Sequence, residues 1–275
     1  MHTIARILVA LLAASHAAAA QTQLAAAPAD QALDSAAALL PTSINYWEFA
    51  SGFDSSKGTY GALQPTTVSY VPVALSYHAA RWSVSLESGY LRVTGPLSYI
   101  DVTNLDAGRN PAVNGAVNGI ADTAISAKYA VYEDLARGFF VDAGARLRAP
   151  TASRAKGLGT GHAAGDLTLD LTQVAGQWTF FGGGEYGIRD SRDAERNPWS
   201  ATAGFGRSFT ERWSAGAFYH FRQSVLRGAG AAHDLFAYTS YALSRRFTVT
   251  LYGATGFSHA SVDRELGLRY ALRWP

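Results

Sequence analysis

A short polar turn followed at once by an aromatic residue and an alternating strand occurs repeatedly in this chain. The segments are HAARWSVSL at 78–86, AGQWTFFGG at 175–183, TERWSAGAF at 210–218 and SRRFTVTLY at 244–252. Longer, polar, glycine-rich connections lie between them. Short turns at one end and long loops at the other are typical of a transmembrane β-barrel. This rhythm predicts the fold class before any single residue is considered.

Two N-terminal segments precede the predicted strands, and they indicate an exported protein with a linker ahead of the barrel. Residues 1–20 read as a secretory signal peptide, with positive Arg6, a short apolar core and Ala18, Ala19 and Ala20 before the cleavage site. Residues 21–43 are alanine-rich and do not alternate. We expect a periplasmic lead-in there, with a plug segment inside the barrel as the alternative. The predicted barrel then covers residues 44–275.

Composition excludes several classes of protein. The chain has no cysteine, and 23 Lys and Arg nearly balance 21 Asp and Glu. After Gln21 there is no apolar run long enough for a transmembrane helix. Neither a disulfide framework nor a nucleic-acid partner is therefore expected. No histidine spacing suits a metal, and no G-x-S-x-G motif is present, so we expect no cofactor and no catalytic residues.

Alternation with a period of two predicts a closed, antiparallel, up-and-down barrel of about twelve strands, each near the ten residues that a tilted strand needs to cross a bilayer. An even count places both chain ends on the side of the short turns. The longest predicted connection runs from Gly95 to Gly119. The predicted strands cover 44–54, 66–78, 81–94, 120–132, 139–148, 165–175, 178–189, 198–209, 213–224, 233–243, 247–257 and 264–274.

Aromatic residues cluster at the predicted strand ends, where barrels carry an interfacial girdle. The predicted interface anchors are Trp82, Trp178, Trp213, Phe247 and Trp274. A secreted soluble β-sandwich or lipocalin-like barrel would alternate too. It would have to bury many charges or pack the large apolar residues of every strand inside, and both are costly.

Charged side chains concentrate at the inward-facing positions of the strands, and they form the one candidate functional site. Two interpretations stay open: a ladder of paired charges that rigidifies a narrow lumen, favoured by the mixed signs, and an arginine track that conducts anions. The lumen-lining candidates are Glu48, Glu87, Asp122, Lys128, Asp142, Arg146, Arg148, Asp170, Glu185, His220, Arg222, Glu265, Arg269 and Arg273.

Several longer phrases resemble a known family. SGFDSSKGTYG, VPVALSYHAARWSVSLESGYLRVTGP, ISAKYAVYEDLARGFFVDAGARLRAPTASRAKGLGTG and ERWSAGAFYHFRQS are similar to the outer-membrane transporter-like family labelled "MetA-pathway of phenol degradation". The resemblance covers most of residues 44–274. It implies an outer-membrane barrel, often encoded with degradation pathways, that admits small aromatic or apolar compounds. It carries no residue-level functional motif. The chain departs from the family at NGIADTAIS and in ending Arg-Trp-Pro.

The sequence therefore predicts a channel of a Gram-negative outer membrane for passive uptake of small solutes. Its expected partners are outer-membrane lipid, lipopolysaccharide, the barrel-assembly machinery and a small-molecule solute. Two alternatives remain. One is a structural or adhesive barrel that binds through the long loop at 95–119. The other is a lipid-acting barrel enzyme.

Overall fold

The chain forms one antiparallel sheet that closes on itself. The computed structural model describes residues 45–60, 65–96, 114–159, 161–189, 196–224 and 229–275. Consecutive strands pair with each other, except that the fourth and fifth strands both pair with the third, and the last strand pairs with the first. The predicted signal peptide and lead-in, and residues 97–113 of the predicted long loop, lie outside the described residues.

The described residues contain thirteen strands. No helix among them is long and apolar enough to span a membrane. The strands are β1 (Tyr46–Gly58), β2 (Thr66–His78), β3 (Trp82–Pro96), β4 (Asn114–Ile120), β5 (Thr123–Asp134), β6 (Phe139–Ala149), β7 (Ala164–Ala175), β8 (Trp178–Ile188), β9 (Trp199–Ser208), β10 (Trp213–Arg222), β11 (Ala232–Ala242), β12 (Phe247–Gly256) and β13 (Arg264–Trp274).

Strands β4 and β5 share one position in the barrel wall. The second half of β3 pairs with β4 and its first half pairs with β5. Between them, the Ala121 amide donates to the Gly89 carbonyl at 2.9 Å, so the wall continues across the break. The wall therefore has twelve positions, which confirms the predicted barrel.

Some predicted boundaries are wrong. The first strand continues to Gly58, beyond its predicted end at residue 54. The predicted strand at 120–132 is interrupted at residues 121–122.

Residues 114–119 were expected in the long connection, but they belong to β4. Their glycines and asparagines are typical of loops. Alternation nevertheless holds: Ala116, Asn118 and Ile120 are exposed, while Val117 is half-buried on the inner face. Pairing with β3 outweighs the weak local preference for a strand.

Side chains alternate between an apolar outside and a mixed inside. On β2, Val71, Val73 and Leu75 are exposed, whereas Val68 and Tyr70 are buried. Exposed large apolar side chains recur on the strands of the wall, except on β6, where they are half-buried, and this is the pattern of a surface that faces lipid.

The two ends of the barrel differ. One end, here called the turn end, holds the short turns 79–81, 135–138, 176–177, 209–212 and 243–246, together with the start of β1 and the end of β13. Gly138 and Gly176 adopt positive φ there, which these tight turns require. The longer connections lie at the opposite end, here called the loop end.

Charge on the lipid-facing wall should be costly in a depth-dependent way. Leu251 lies near the middle of β12 and Phe257 lies just beyond its end; both are exposed. Leu251→Arg should reduce the free energy of unfolding by about 2–4 kcal/mol, and Phe257→Arg by about 0–1 kcal/mol. Urea-induced unfolding from lipid vesicles measures both, and equal costs would contradict a transmembrane wall.

Candidate functional site in the barrel interior

A cavity of about 140 Å³ lies inside the barrel. Side chains from β1, β2, β3 and β5 to β10 line it. It extends from His78 and Ser83 at the turn end to Glu185 and His220 near the loop end. Small hydroxyl side chains make up much of the lining, namely Ser76, Ser83, Ser85, Ser126, Thr168, Ser200 and Thr202. These groups can donate and accept hydrogen bonds without carrying charge.

Half of the predicted lumen residues border this cavity. They are Glu48, Glu87, Lys128, Arg146, Asp170, Glu185 and His220. Three ion pairs organise most of them: Arg146 Nη2 lies 2.6 Å from Glu87 Oε2, Lys128 Nζ 3.2 Å from Asp170 Oδ2, and Arg273 Nε 2.5 Å from Glu48 Oε2. The structure thus pairs positive with negative groups along the lining and does not form a track of one sign.

Two of these pairs reach across an intervening strand. Arg146 on β6 meets Glu87 on β3, and Ser126 of β5 lies between them, donating to Glu87 Oε1 at 3.3 Å. Lys128 on β5 meets Asp170 on β7, with Gly144 of β6 between them. A Cβ at Gly144 would lie 3.0 Å from Lys128 Cγ. Small residues on the middle strands therefore make room for the long side chains.

Other predicted lumen residues are packed away from the cavity near the loop end. Asp166 accepts from both Arg148, at 3.3 Å, and Arg189, at 2.6 Å, and these side chains are at most 1% exposed. Arg269 pairs with Asp54 at 3.2 Å in a second buried site, near the buried carboxylates of Glu265 and Asp234. Arg148, Arg269 and Glu265 thus fill the interior of the barrel and do not line its cavity.

Sequence analysis missed four charged residues of these buried sites: Asp54, Asp166, Arg189 and Asp234. Strand parity could have found them, since Asp54 shares the inner face with Glu48, Asp166 with Asp170, and Arg189 with Glu185. Of the remaining candidates, Asp142 is half-buried on the inner face of β6, opposite Asp170, and Arg222 is half-buried at the end of β10.

An aromatic cluster fills the inner face of β8 and β10–β12. It consists of Phe181, Phe218, Phe236, Tyr238 and Tyr252. The Phe218 and Phe236 rings are stacked, with centroids 4.7 Å apart. The rings have room because β9 presents Gly204, where a Cβ would lie 2.8 Å from Phe181 Cζ. Sequence analysis missed this cluster, although Phe180-Phe181 must place one ring on each face of β8.

The connection between β6 and β7 packs onto the loop end. Its Leu158 is 2% exposed and belongs to a cluster with Val68, Tyr70, Leu91 and Val93. A 3-10 turn at Arg154–Lys156 ends at Gly157, with φ of 67°, and presents Leu158 to that cluster. The glycine-rich segment KGLGTG thus contains a buried side chain, Leu158, that anchors the connection to the barrel.

Asp122 holds this connection in place. It lies between β4 and β5, and its Oδ1 accepts from the Ala152 amide at 2.9 Å. Lys156 Nζ donates to the Asn118 carbonyl of β4 at 3.3 Å. Asp122, a predicted lumen residue, therefore binds the connection and does not border the cavity. Tyr60 also packs against this cluster and donates to Ser56, and its burial raises the pKa of the phenol.

The predicted interface anchors lie at the turn end. Trp82, Trp178 and Trp213 are exposed, and Phe247 and Trp274 are half-buried. Trp178 packs against Phe205 with ring centroids 5.9 Å apart. Their contact with lipid headgroups remains a prediction.

In the described part of the chain, no group of three or more His, Cys, Asp or Glu side chains has the geometry to hold a metal. The site offers a polar cavity with paired charges beside an aromatic cluster.

Comparisons with known proteins agree with this architecture. The profile of the family described as "Putative MetA-pathway of phenol degradation" matches residues 91–274. The structure of the KdgM porin is similar with a TM-score of 0.53 at 10% identity, covering 83% of this chain and 98% of that chain. The NanC porin has a TM-score of 0.53 at 11% identity, covering 83% and 99%. The CymD monoaromatic hydrocarbon channel is less similar, with a TM-score of 0.48 at 12% identity and 94% of both chains covered.

At such identities the similarity to the two porins shows a shared fold only. No curated protein is similar enough in sequence to count as a relative.

Removing the shared carboxylate of the buried site should be far more costly than removing one at the cavity. Asp166→Asn removes the carboxylate with which both buried arginines pair, so the free energy of unfolding should fall by about 3–5 kcal/mol. Asp170→Asn breaks a more hydrated pair and should cost about 1 kcal/mol or less. Unfolding in urea from vesicles compares the two variants. Equal costs would mean that Asp166 does not hold both arginines.

Leu158→Asp should release the connection between β6 and β7 from the loop end. The substitution removes about 1.5–3 kcal/mol of apolar burial and places a carboxylate in an apolar cluster. Single-channel conductance in planar bilayers should rise if the connection obstructs the path. Arg154→Gln, which changes an exposed residue of the same 3-10 turn, is the control. Unchanged conductance in Leu158→Asp would show that the connection lies off the path.

Proposed function

The chain belongs to the MetA-pathway of phenol degradation family, and we propose that it is a passive channel of the bacterial outer membrane that admits small solutes. The observation that carries the proposal is the cavity that extends through much of the barrel, from His78 at the turn end to His220 near the loop end. A barrel wall without sheet edges is one of the two structures that can cross a bilayer.

The size of the cavity favours small solutes taken one at a time. Barrels of eight strands are filled by side chains, and those of sixteen or more leave an aqueous channel. The twelve-position wall lies between these limits. A cavity of about 150 Å³ is known to hold benzene, and the present cavity, at about 140 Å³, matches a molecule with a single ring.

The paired charges favour neutral solutes. Arg146, Lys128 and Arg273 each have a carboxylate partner at the lining or beside it. A permeating anion would have to compete with these carboxylates, so the ladder interpretation is favoured over an anion-conducting arginine track. Hydroxyl groups along the lining can hydrogen-bond an uncharged polar solute.

Aromatic compounds are suitable solutes for two reasons: the family is described by phenol degradation, and aromatic side chains lie near the cavity. Phe181 and Phe218 lie two residues along their strands from Gly183 and His220, which border the cavity. A solute at that level would meet the hydroxyl groups of Ser200 and Thr202 and lie near the edge of the aromatic cluster.

The proposed orientation places the turn end in the periplasm and the loop end outside the cell, as in bacterial outer-membrane barrels. Residues 1–20 would direct export, and the barrel-assembly machinery would insert the chain. Lipopolysaccharide would contact the wall at the loop end.

Flux through the reconstituted protein tests the proposal directly. Residues 21–275 in proteoliposomes should admit neutral one-ring solutes faster than anions of similar size, measured by swelling or by release of a trapped solute. Heat-modifiable migration on gels verifies folding. Folded protein that leaves the vesicles impermeable to all solutes would contradict a channel.

Arg146 should influence ion selectivity because it borders the cavity. Arg146→Gln leaves Glu87 without its cation and should shift the reversal potential in a salt gradient toward cation preference. Arg264→Gln, an exposed arginine at the loop end, is the control and should leave the reversal potential unchanged. The same reversal potential in wild-type protein and Arg146→Gln would mean that permeating ions do not pass Arg146.

A further inference from the structure

In one sector of the turn end, arginines outnumber the neighbouring carboxylates. Arg207 lies at the end of β9, Arg212 in the following turn, and Arg245 and Arg246 in the turn between β11 and β12. All four are exposed, and Glu211 is the acidic residue among them. These four arginines are called the basic sector below.

Hydrogen bonds join the turns of the basic sector into one surface. The Ala242 amide donates to the Arg212 carbonyl, and the Ser208 amide donates to the Gln177 carbonyl, both at 2.8 Å. The Arg273 amide donates to the Arg246 carbonyl at 2.8 Å. The arginines are thus displayed along a continuous part of the rim.

Arg207 lies on the lipid-facing side of the wall. It is opposite Trp178 in the register of β8 and β9, and it is exposed like its outward neighbour Phe205. Its guanidinium carbon lies 5.3 Å from the centroid of the Trp178 ring and 5.4 Å from the centroid of the Phe209 ring. Phe209 in turn stacks on Trp213, with centroids 4.5 Å apart. The positive charge of Arg207 therefore lies among the aromatic rings at the turn end.

The ion pairs among the described residues do not include Arg207. Its Nη2 donates only a long bond of 3.4 Å, to Gln177 Oε1. A guanidinium has five donors arranged in a planar fork that matches the oxygens of a phosphate. Because two rings already restrict its guanidinium, Arg207 loses little further freedom when it binds such a group.

Another turn on the same rim carries more carboxylates than arginines. In the turn between β5 and β6, Arg137 lies 3.7 Å from Asp134, and Glu133 adds a further carboxylate. A general need for positive charge at this end of the barrel would not leave that turn acidic.

We propose that the basic sector binds the phosphate groups of anionic phospholipids in the leaflet at the turn end. Rings at the interface accommodate the acyl and glycerol region of any lipid. The excess of arginines adds a preference for lipids with net negative charge, since each basic residue near an anionic lipid surface attracts it independently.

Lipid retention in native mass spectrometry tests this proposal. The full barrel is extracted from vesicles of equal phosphatidylglycerol and phosphatidylcholine, and the ratio of the two bound lipids is measured. Wild-type protein should favour phosphatidylglycerol, and Arg207→Gln should reduce the preference by about fivefold. Arg245→Gln with Arg246→Gln changes only exposed turn residues and should reduce it as well.

Arg137→Gln is the matched control, because its arginine lies on the same rim but is paired with a carboxylate. Its lipid ratio should equal that of wild-type protein. Excess inorganic phosphate should not displace the lipid, which distinguishes a lipid site from an ion site. Equal retention of both lipids by wild-type protein would overturn the proposal. An equal loss of preference in Arg137→Gln and Arg207→Gln would overturn it too.

Discussion

Closure of the hydrogen-bonded wall is the constraint on which the rest of the structure depends. In a bilayer, each backbone amide and carbonyl must find its partner within the protein. Pairing of β1 with β13 removes the two edges that an open sheet would present. Once the wall is closed, each residue faces either lipid or the interior. The interior must then accommodate whatever polar side chains the alternation places there, and this requirement explains the ion pairs, the hydroxyl lining and the glycines that make room for large rings.

Strand alternation, turn chemistry and the positions of aromatic residues were enough to predict the barrel and most strand boundaries. These signals are local, because side-chain parity and tight turns are set within a few residues. Strand β4 escaped prediction for the same reason, since Asn114–Ile120 has loop-like composition and becomes a strand only by pairing with β3. The family resemblance carried by phrases such as ERWSAGAFYHFRQS is confirmed by the profile that matches residues 91–274.

The candidate site was predictable in its content but not in its arrangement. Parity identifies Arg146, Arg148 and Arg269 as inward-facing, yet one borders the cavity and two are buried. The difference comes from which strands face each other across the interior, from the stagger between strands, and from the connection that packs on the loop end. None of these is a local property of the chain. The packing of Leu158 against residues far away in sequence shows the same limit.

The ion pairs that skip a strand also bear on the mechanics of the barrel. Arg146–Glu87 and Lys128–Asp170 join alternate strands and so act as chords across the curved wall. Flattening or bending the cross-section would change the chord lengths and strain these bonds, while sliding neighbouring strands would break the backbone ladder. A barrel braced in this way should keep its cross-section when bilayer thickness or lateral pressure changes. Permeability in this chain would then be altered by replacing side chains, and less by widening the wall.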